Sequence, residues 1–228
     1  RSPAQNFVFA SKEGDIAITV NGKFPIKRPG QGQFIQDGSS SSNAWQGYIP
    51  YEHNPRSKNP VTGYVASANQ HSTDPSYPYY YNGDFDHFRG RMVNRTLSPM
   101  TQIAPEDMMS LQNNNYSIKA EENLPTMIRL LDSAAWQDEE KKELIQKLKL
   151  WDFSFDADSE VAGFFNLWYR SMYRLIFDEI YTSKDSSNLE YPETYLTTRL
   201  LNTDIQHKIF DLKATTKTEN AGEIITLA

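Results

Sequence analysis

An asparagine near the start of the chain is the first side chain whose surroundings suggest chemistry. Asn6 lies in PAQNFVFASKEGDIAITVNGKFPIKR, at the head of an apolar run typical of a β-strand. An amide at the end of a strand either hydrogen-bonds a neighbouring loop or donates an N–H to an oxyanion that forms during a reaction. The residues alone favour the structural role, because most polar side chains at strand ends have one.

Other polar side chains are weaker candidates. Asp84 and Asp86 beside His87 could hold a cation, but a helix start explains them better. The four histidines lack the paired spacing of zinc ligands, and no glycine-rich loop follows a strand and opens a helix. The carboxylates Asp156 and Asp158 precede a long apolar segment, where Asp158 is expected to cap a helix rather than to catalyse.

A predicted β-hairpin positions Asn6. Residues Gln5–Ala10 form an apolar run, and Asp15–Val20 alternate in the period-two pattern of a strand. The turn SKEG between them ends in Gly14, which adopts positive φ without strain. Every second residue of the first strand therefore shares the face of Asn6.

The chain changes character near residue 84. Its prolines predict irregular structure in GYIPYEHNPRSKNPVTGYVASANQ up to a short strand at residues 63–68. Residues 1–84 are therefore predicted to be a β-rich part with loops, and residues 85–228 a mainly α-helical part of the same subunit.

Periodic apolar residues predict the helices of the second part. Helices are expected to start at Ala104, at Ile118 with an interruption at Pro125, and at Asp138. The longest, Ser159–Tyr181, carries apolar residues on nearly every side, which predicts burial nearly all round.

Composition excludes several classes of function. The net charge is −6 without blocks of like charge, so nothing recommends nucleic acid as a partner. No apolar run of about 18 residues predicts a membrane span, and there are no cysteines for disulfides or thiolate metal sites. The 13 Tyr, 12 Phe and 4 Trp suit a binding surface, a core or a subunit interface. The tyrosine-rich YPYYYNGDFDHF leaves one alternative open, a secreted glycan-binding module without catalytic activity.

Four segments together resemble a known family. They are PAQNFVFASKEGDIAITVNGKFPIKR, WQGYIPYEHNPRSKNPVTGYVASANQ, FRGRMVNRTL and LKLWDFSFDADSEVAGFFNLWYRSMYR, in this order. The series is similar to the β-subunit of the penicillin acylase (penicillin amidase) family of N-terminal-nucleophile hydrolases. The resemblance covers roughly residues 3 to 175 and fades after residue 183.

The resemblance implies an α+β fold, in which part of an αββα sandwich is followed by a mainly helical region. It implies an amidase that cleaves a carboxamide C–N bond and is made as a periplasmic or secreted precursor that cuts itself. In the family an N-terminal serine is the nucleophile, its own α-amine is the base, and an amide side chain and a backbone N–H hold the oxyanion. The chemistry requires no cofactor, and the resemblance allows a structural calcium ion in the complete protein.

Two residues carry over by resemblance. Asn6 in QNFVFA matches the oxyanion-hole asparagine, and Arg28 in PIKR matches an arginine that orients the nucleophile or substrate. A surface arginine in a turn is an equal alternative for Arg28. Ser42–Asn43 looks like the family's nucleophile dipeptide but follows the oxyanion asparagine instead of preceding it, so we do not assign it. Ser2 is preceded by Arg1 and followed by a proline, so we do not assign it as the nucleophile either.

Departures from the family pattern define the remaining expectations. The segment ANQ stands where the family often has paired asparagines, which leaves the hydrogen bonds of Gln70 open. Without a nucleophile, this chain is expected to be a central fragment of a β-subunit, inactive by itself. Its expected partners are the α-subunit and the N-terminal part of the β-subunit of its own precursor, and a small acyl amide is the expected substrate.

Overall fold

A computed structural model describes residues 4–33, 35–83, 86–132, 136–183, 189 and 191–228. The chain divides into two compact units, Arg1–Gln102 and Ile103–Ala228. A small antiparallel sheet in the first and helices in both make the fold α+β, as predicted. The predicted change of character, at residues 84 and 85, lies outside the described residues.

Among its described residues, the first unit contains the sheet and one α-helix. Its elements are β1 (Gln5–Ala10), β2 (Ile16–Asn21), β3 (Arg56–Lys58) and α1 (Phe88–Leu97). The second unit is helical. Its elements are α2 (Pro105–Gln112), α3 (Ile118–Leu130), α4 (Glu139–Leu150), α5 (Glu160–Ile176), α6 (Asp178–Thr182), α7 (Thr194–Thr203) and α8 (Ala221–Leu227).

The predicted hairpin is present. β1 and β2 pair antiparallel, with Asn6 opposite Val20. The turn closes through a hydrogen bond from the Ser11 N–H to the Asp15 carbonyl at 2.8 Å. Gly14 adopts φ +93°, a left-handed conformation that a side chain would strain.

The predicted third strand at residues 63–68 is wrong. The strand β3 lies earlier in the proline-rich stretch and pairs antiparallel with residues 17–19 of β2, giving the order β1-β2-β3. Prolines at positions 55 and 60 bracket this strand without interrupting it, because Arg56–Lys58 retain their N–H groups. Lys58 contacts Asp15 at 2.7 Å, and this ammonium and the Asn59 amide hold the pKa of Asp15 below its usual value.

Side-chain caps begin four of the described helices of the second unit, and Asn220 caps α8 by accepting from the Gly222 and Glu223 N–H groups. Ser117 caps α3, Asp138 caps α4 and Ser159 caps α5, each accepting a hydrogen bond from the backbone N–H three residues later. The predicted cap at Asp158 is therefore wrong, since the hydroxyl of the next residue fills that place. α2 begins at a proline, and Asp107 accepts a hydrogen bond from the Ala104 N–H at 2.8 Å.

Two predicted helix boundaries differ from the structure. α3 continues through Pro125, whose ring lies on the exposed side of the helix, so the helix loses one hydrogen bond without breaking. The long helix predicted over Ser159–Tyr181 is two helices, because Phe177 leaves helical geometry at φ −113° and ψ 40°.

The core of the second unit is built around α5. Trp168 is 2% exposed, and its indole N–H donates to the Ile225 carbonyl at 3.0 Å. Helices α3, α4, α7 and α8 contribute further buried side chains to the same core. The prediction that this helix is buried on nearly every side is wrong for one face of α5, where the Leu167 side chain is 65% exposed. No helix among the described residues is long and apolar enough to cross a lipid bilayer.

Two leucines on α4 provide a matched test of this packing. Leu148 is 1% exposed in the core and Leu150 is 86% exposed on the same helix. We expect Leu148→Ala to lower the free energy of unfolding by about 2–5 kcal/mol through lost burial and a cavity. Leu150→Ala should change it by less than about 0.5 kcal/mol. Urea unfolding followed by far-UV circular dichroism measures both, and equal losses would contradict the assigned core.

Candidate functional site

The Asn6 side chain lies at the surface of the hairpin. It is the second residue of β1, and its amide nitrogen donates to the Ser67 hydroxyl at 2.7 Å. Both residues are exposed. The structure therefore leaves this amide at the surface and ties it to a loop 61 residues further along the chain.

β1 is an edge strand in the described part of the chain. It pairs with β2 on one side, and no other described strand pairs with it. All six of its residues are exposed, and Phe7, Val8 and Phe9 are 53%, 61% and 59% exposed. Apolar side chains thus stand in solvent on both faces of the strand that carries Asn6.

A buried asparagine fixes the strand opposite Asn6. Asn54 is 2% exposed, and its amide nitrogen donates to the Val20 carbonyl at 3.2 Å and to the Gly22 carbonyl at 3.0 Å. The Val20 N–H donates in turn to the Pro55 carbonyl at 2.9 Å. Because these bonds continue the ladder beyond β3, they hold β2 in place at the residue that pairs with Asn6.

Residues 66–70 form a clamp, in which the Gln70 side chain holds the loop that contains Ser67. The Gln70 side chain accepts from the Ala68 N–H at 2.6 Å and donates to the Ala66 carbonyl at 2.9 Å. The sequence left the hydrogen bonds of Gln70 open. In the structure its side chain makes one with the residue before Ser67 and one with the residue after it. Asn69 has φ +60°, a left-handed conformation that asparagine tolerates and that turns the chain back.

Helix α1 supports this loop at two points. The Tyr64 hydroxyl donates to the Asn94 side chain at 2.9 Å. Gly90 lies against Gln70, and a Cβ at this position would stand 3.1 Å from the Gln70 Cβ. Glycine therefore allows the close approach of helix and loop.

The structure gives Arg28 and Asn6 different partners. The Arg28 guanidinium donates to the Asn43 side chain at 2.6 Å, and its backbone N–H donates to Gln31. Gln31 is 5% exposed and also donates to the Asn43 carbonyl at 2.7 Å. Arg28 is thus ordered by a turn in the same unit, and the role carried over for it stays a prediction.

Ser42 has a partner that cannot activate it. Its hydroxyl contacts the Ser40 hydroxyl at 2.7 Å, and a second hydroxyl is not a base that could remove its proton. Asn43 is engaged by Arg28 and donates to the Asp37 carbonyl at 2.9 Å. This geometry agrees with leaving the Ser42–Asn43 dipeptide unassigned.

The tyrosine-rich segment packs against its own unit. Rings of Tyr77, Tyr79 and Tyr81 contact one another and the imidazoles of His53 and His71 at centroid distances of 5.3–6.1 Å. The Tyr79 hydroxyl contacts His53 Nδ1 at 2.6 Å. Burial, with Tyr79 and Tyr81 nearby, raises the pKa of Tyr77. These rings are half-buried against their own unit, and the glycan-binding alternative stays a prediction.

No metal-ligand cluster occurs in the described part of the chain. Residues 4–33, 35–83, 86–132, 136–183, 189 and 191–228 contain no group of three or more imidazole or carboxylate side chains that could hold an ion. Asp84, one member of the weak candidate set with Asp86 and His87, lies outside the described residues, as do Arg1 and Ser2. The structural calcium allowed by the resemblance stays a prediction.

Two residues of this site were not identified from the sequence. Ser67 and Asn54 act through contacts with residues far away in the chain, so no local motif marks them. The one available signal was that VASANQ contains Ser67, Asn69 and Gln70 within four residues, and serine and asparagine are typical of turns rather than of the strand we predicted.

Comparisons with known proteins agree with the resemblance. The family model described as Penicillin amidase matches residues 1–228. Penicillin acylase 2 proenzyme from Pseudomonas sp. (strain SE83) is 25% identical over 173 residues, covering 75% of this chain and 22% of that protein. Acyl-homoserine lactone acylase QuiP from Pseudomonas putida is 26% identical over 184 residues, covering 76% and 22%.

A solved structure has a similar fold. It is a thermostable penicillin G acylase from Alcaligenes faecalis, with a TM-score of 0.56 at 16% identity. The match covers 82% of this chain and 35% of that one. The chain spans about a fifth of the length of the curated relatives it matches.

Asn54 provides the test of how the Asn6 strand is held. Asn54→Ala leaves the Val20 and Gly22 carbonyls without their donor, so we expect local stability to fall by about 1–3 kcal/mol. Asn54→Asp keeps the shape but places a third acceptor against them, and it should cost at least as much. Amide hydrogen exchange across the β1–β2 pair measures the change. Asn166→Ala, on the exposed face of α5, is the control, and unchanged protection in both Asn54 variants would contradict the assignment.

Proposed function

This chain belongs to the penicillin amidase family, and we propose that it is part of an amidohydrolase that cleaves a carboxamide C–N bond. The family match over the whole chain carries the proposal. Its chemical support is the Asn6 amide, exposed at the end of an ordered strand where it can reach a substrate.

The nucleophile in this proposal is an N-terminal serine outside this chain. The serine oxygen attacks the amide carbonyl carbon while its own α-amine accepts the hydroxyl proton, since the ordinary pKa of an α-amine, about 7.7–8.0, lies near working pH. The carbonyl oxygen becomes an oxyanion. When the intermediate collapses, the C–N bond breaks and the leaving amine takes the proton. Water then attacks the acyl-serine ester by the same route and releases the acid.

Asn6 is the oxyanion donor in this sequence of steps. One N–H of its amide points to the developing negative charge, where a fixed dipole lowers the barrier more than it stabilises the neutral substrate. A backbone N–H from outside this chain supplies the second donor. Arg28 orients the nucleophile or the substrate; Asn43 and Gln31 hold its position for that task.

The partners in this proposal are the α-subunit and the N-terminal part of the β-subunit of the same precursor. The support is the edge of β1, which has one paired side and exposed apolar residues on both faces. We assign the precursor to the periplasm or the exterior of the cell. The chemistry needs no cofactor, and any structural calcium takes ligands from outside the described residues.

Removal of the Asn6 amide tests the catalytic proposal. In the complete processed enzyme, Asn6→Ala should lower kcat by about 10²–10³-fold with a small change in KM, because the interaction is made mainly in the transition state. The names of the relatives supply the substrates to assay, a penicillin and an acyl-homoserine lactone. Gln5→Ala removes a carboxamide from the adjacent residue on the other strand face and should leave kcat unchanged. Wild-type turnover by Asn6→Ala would overturn the role.

An activity assay of the isolated chain tests the proposal that the active site is divided between this chain and its partners. Purified residues 1–228 should fold but hydrolyse neither substrate, because the nucleophile and the second donor are supplied by the partners. Assays of released amine, run beside the complete enzyme, measure this. Turnover by the isolated chain would contradict the proposal, and clear binding on a glycan array would favour the alternative module.

A further inference from the structure

The contact between Ser67 and Asn6 has a consequence for catalysis. We propose that Ser67 is a positioning residue, whose hydroxyl holds the Asn6 amide with one N–H engaged and the other directed to the reaction. The inference rests on the proposed role of Asn6 as oxyanion donor. Nothing in the hairpin itself performs this task, because Asn6 is exposed on an edge strand.

An unrestrained asparagine is a poor oxyanion donor. Its side-chain amide has a donating nitrogen end and an accepting oxygen end, and only the nitrogen end stabilises a negative charge. An exposed side chain samples several rotamers, so it would have to be ordered at the moment of reaction. The Ser67 hydroxyl accepts one of the two N–H groups at 2.7 Å and so orients the nitrogen that carries the second.

The position of Ser67 is itself fixed from both sides. Gln70 bonds the N–H of Ala68 and the carbonyl of Ala66, so the hydroxyl-bearing residue sits at the centre of a closed clamp. The left-handed conformation of Asn69 brings Gln70 back to make these bonds. The backbone that carries the hydroxyl is therefore held in place, as a positioning role requires.

The clamp rests in turn on helix α1. Because Gly90 has no side chain, Gln70 packs closely against α1 at this point. The Tyr64 hydroxyl donates to the Asn94 side chain one helical turn further along. Ser67 thus connects the end of β1 to a helix that begins later in the chain, at Phe88. The amide orientation is set by this support and not by the strand alone.

A hydroxyl deletion at Ser67 tests the inference in the complete processed enzyme. Ser67→Ala should lower kcat about three- to tenfold, the effect of losing one neutral hydrogen bond, while KM stays unchanged. Ser67→Thr keeps the hydroxyl and should restore most of the kcat. Ser42→Ala removes a serine hydroxyl from another loop of the same unit and should have no effect.

A double-mutant cycle separates positioning from general support. In the Asn6→Ala background, Ser67→Ala should cause no further fall in kcat, since there is no amide left to orient. An equal fall in both backgrounds would overturn the inference, and so would wild-type kcat in Ser67→Ala when Asn6→Ala is impaired. Wild-type kcat in Asn6→Ala would instead overturn the proposed role of Asn6 as oxyanion donor, on which the inference rests.

A third variant at Ser67 tests the same inference if Ser67→Ala does not fold. Should Ser67→Ala not accumulate as processed enzyme, Ser67→Cys preserves the size of the side chain with a much weaker acceptor. It should lower kcat in the same direction with KM unchanged, and wild-type kcat in this variant would overturn the inference. Circular dichroism of each purified variant verifies that the fold is retained.

Discussion

The register of the β1–β2 hairpin is the constraint on which the candidate site depends. Side chains alternate between the two faces of a strand, so a slip of one residue would carry Asn6 to the opposite face. The Gly14 turn fixes the register at one end. At the other end Asn54 and Pro55 bond the strand at Val20, the residue opposite Asn6.

The sequence was most informative where structure is local. Alternation and a glycine turn predicted the hairpin correctly, and acidic first turns with lysines at the end predicted α4, because these patterns act within a few residues. Prediction failed where distant contacts decide. β3 exists because residues 17–19 offer it a partner, and the segment at 63–68 pairs with no strand in the described part of the chain. The cap of α5 depended on a choice between adjacent polar residues that propensities do not resolve.

The same distinction applies to the candidate site. Asn6 and Arg28 were identified by resemblance, and their roles remain predictions. Ser67 lies 61 residues from Asn6 and Asn54 lies 34 residues from Val20, separations at which one sequence carries no information about contact. What marks these residues is three-dimensional: a short polar side chain at a clamped turn, and a buried amide that replaces backbone donors.

The exposed edge of β1 has a further consequence for how such a protein is made. QNFVFA contains no charge and no proline, two of the devices by which edge strands resist pairing with other chains. Chains that meet before this edge is covered can therefore pair strand to strand and aggregate. In the precursor proposed above, synthesis of all parts as one chain would hold the segment that covers β1 at high effective concentration, and would so shield the strand that carries Asn6.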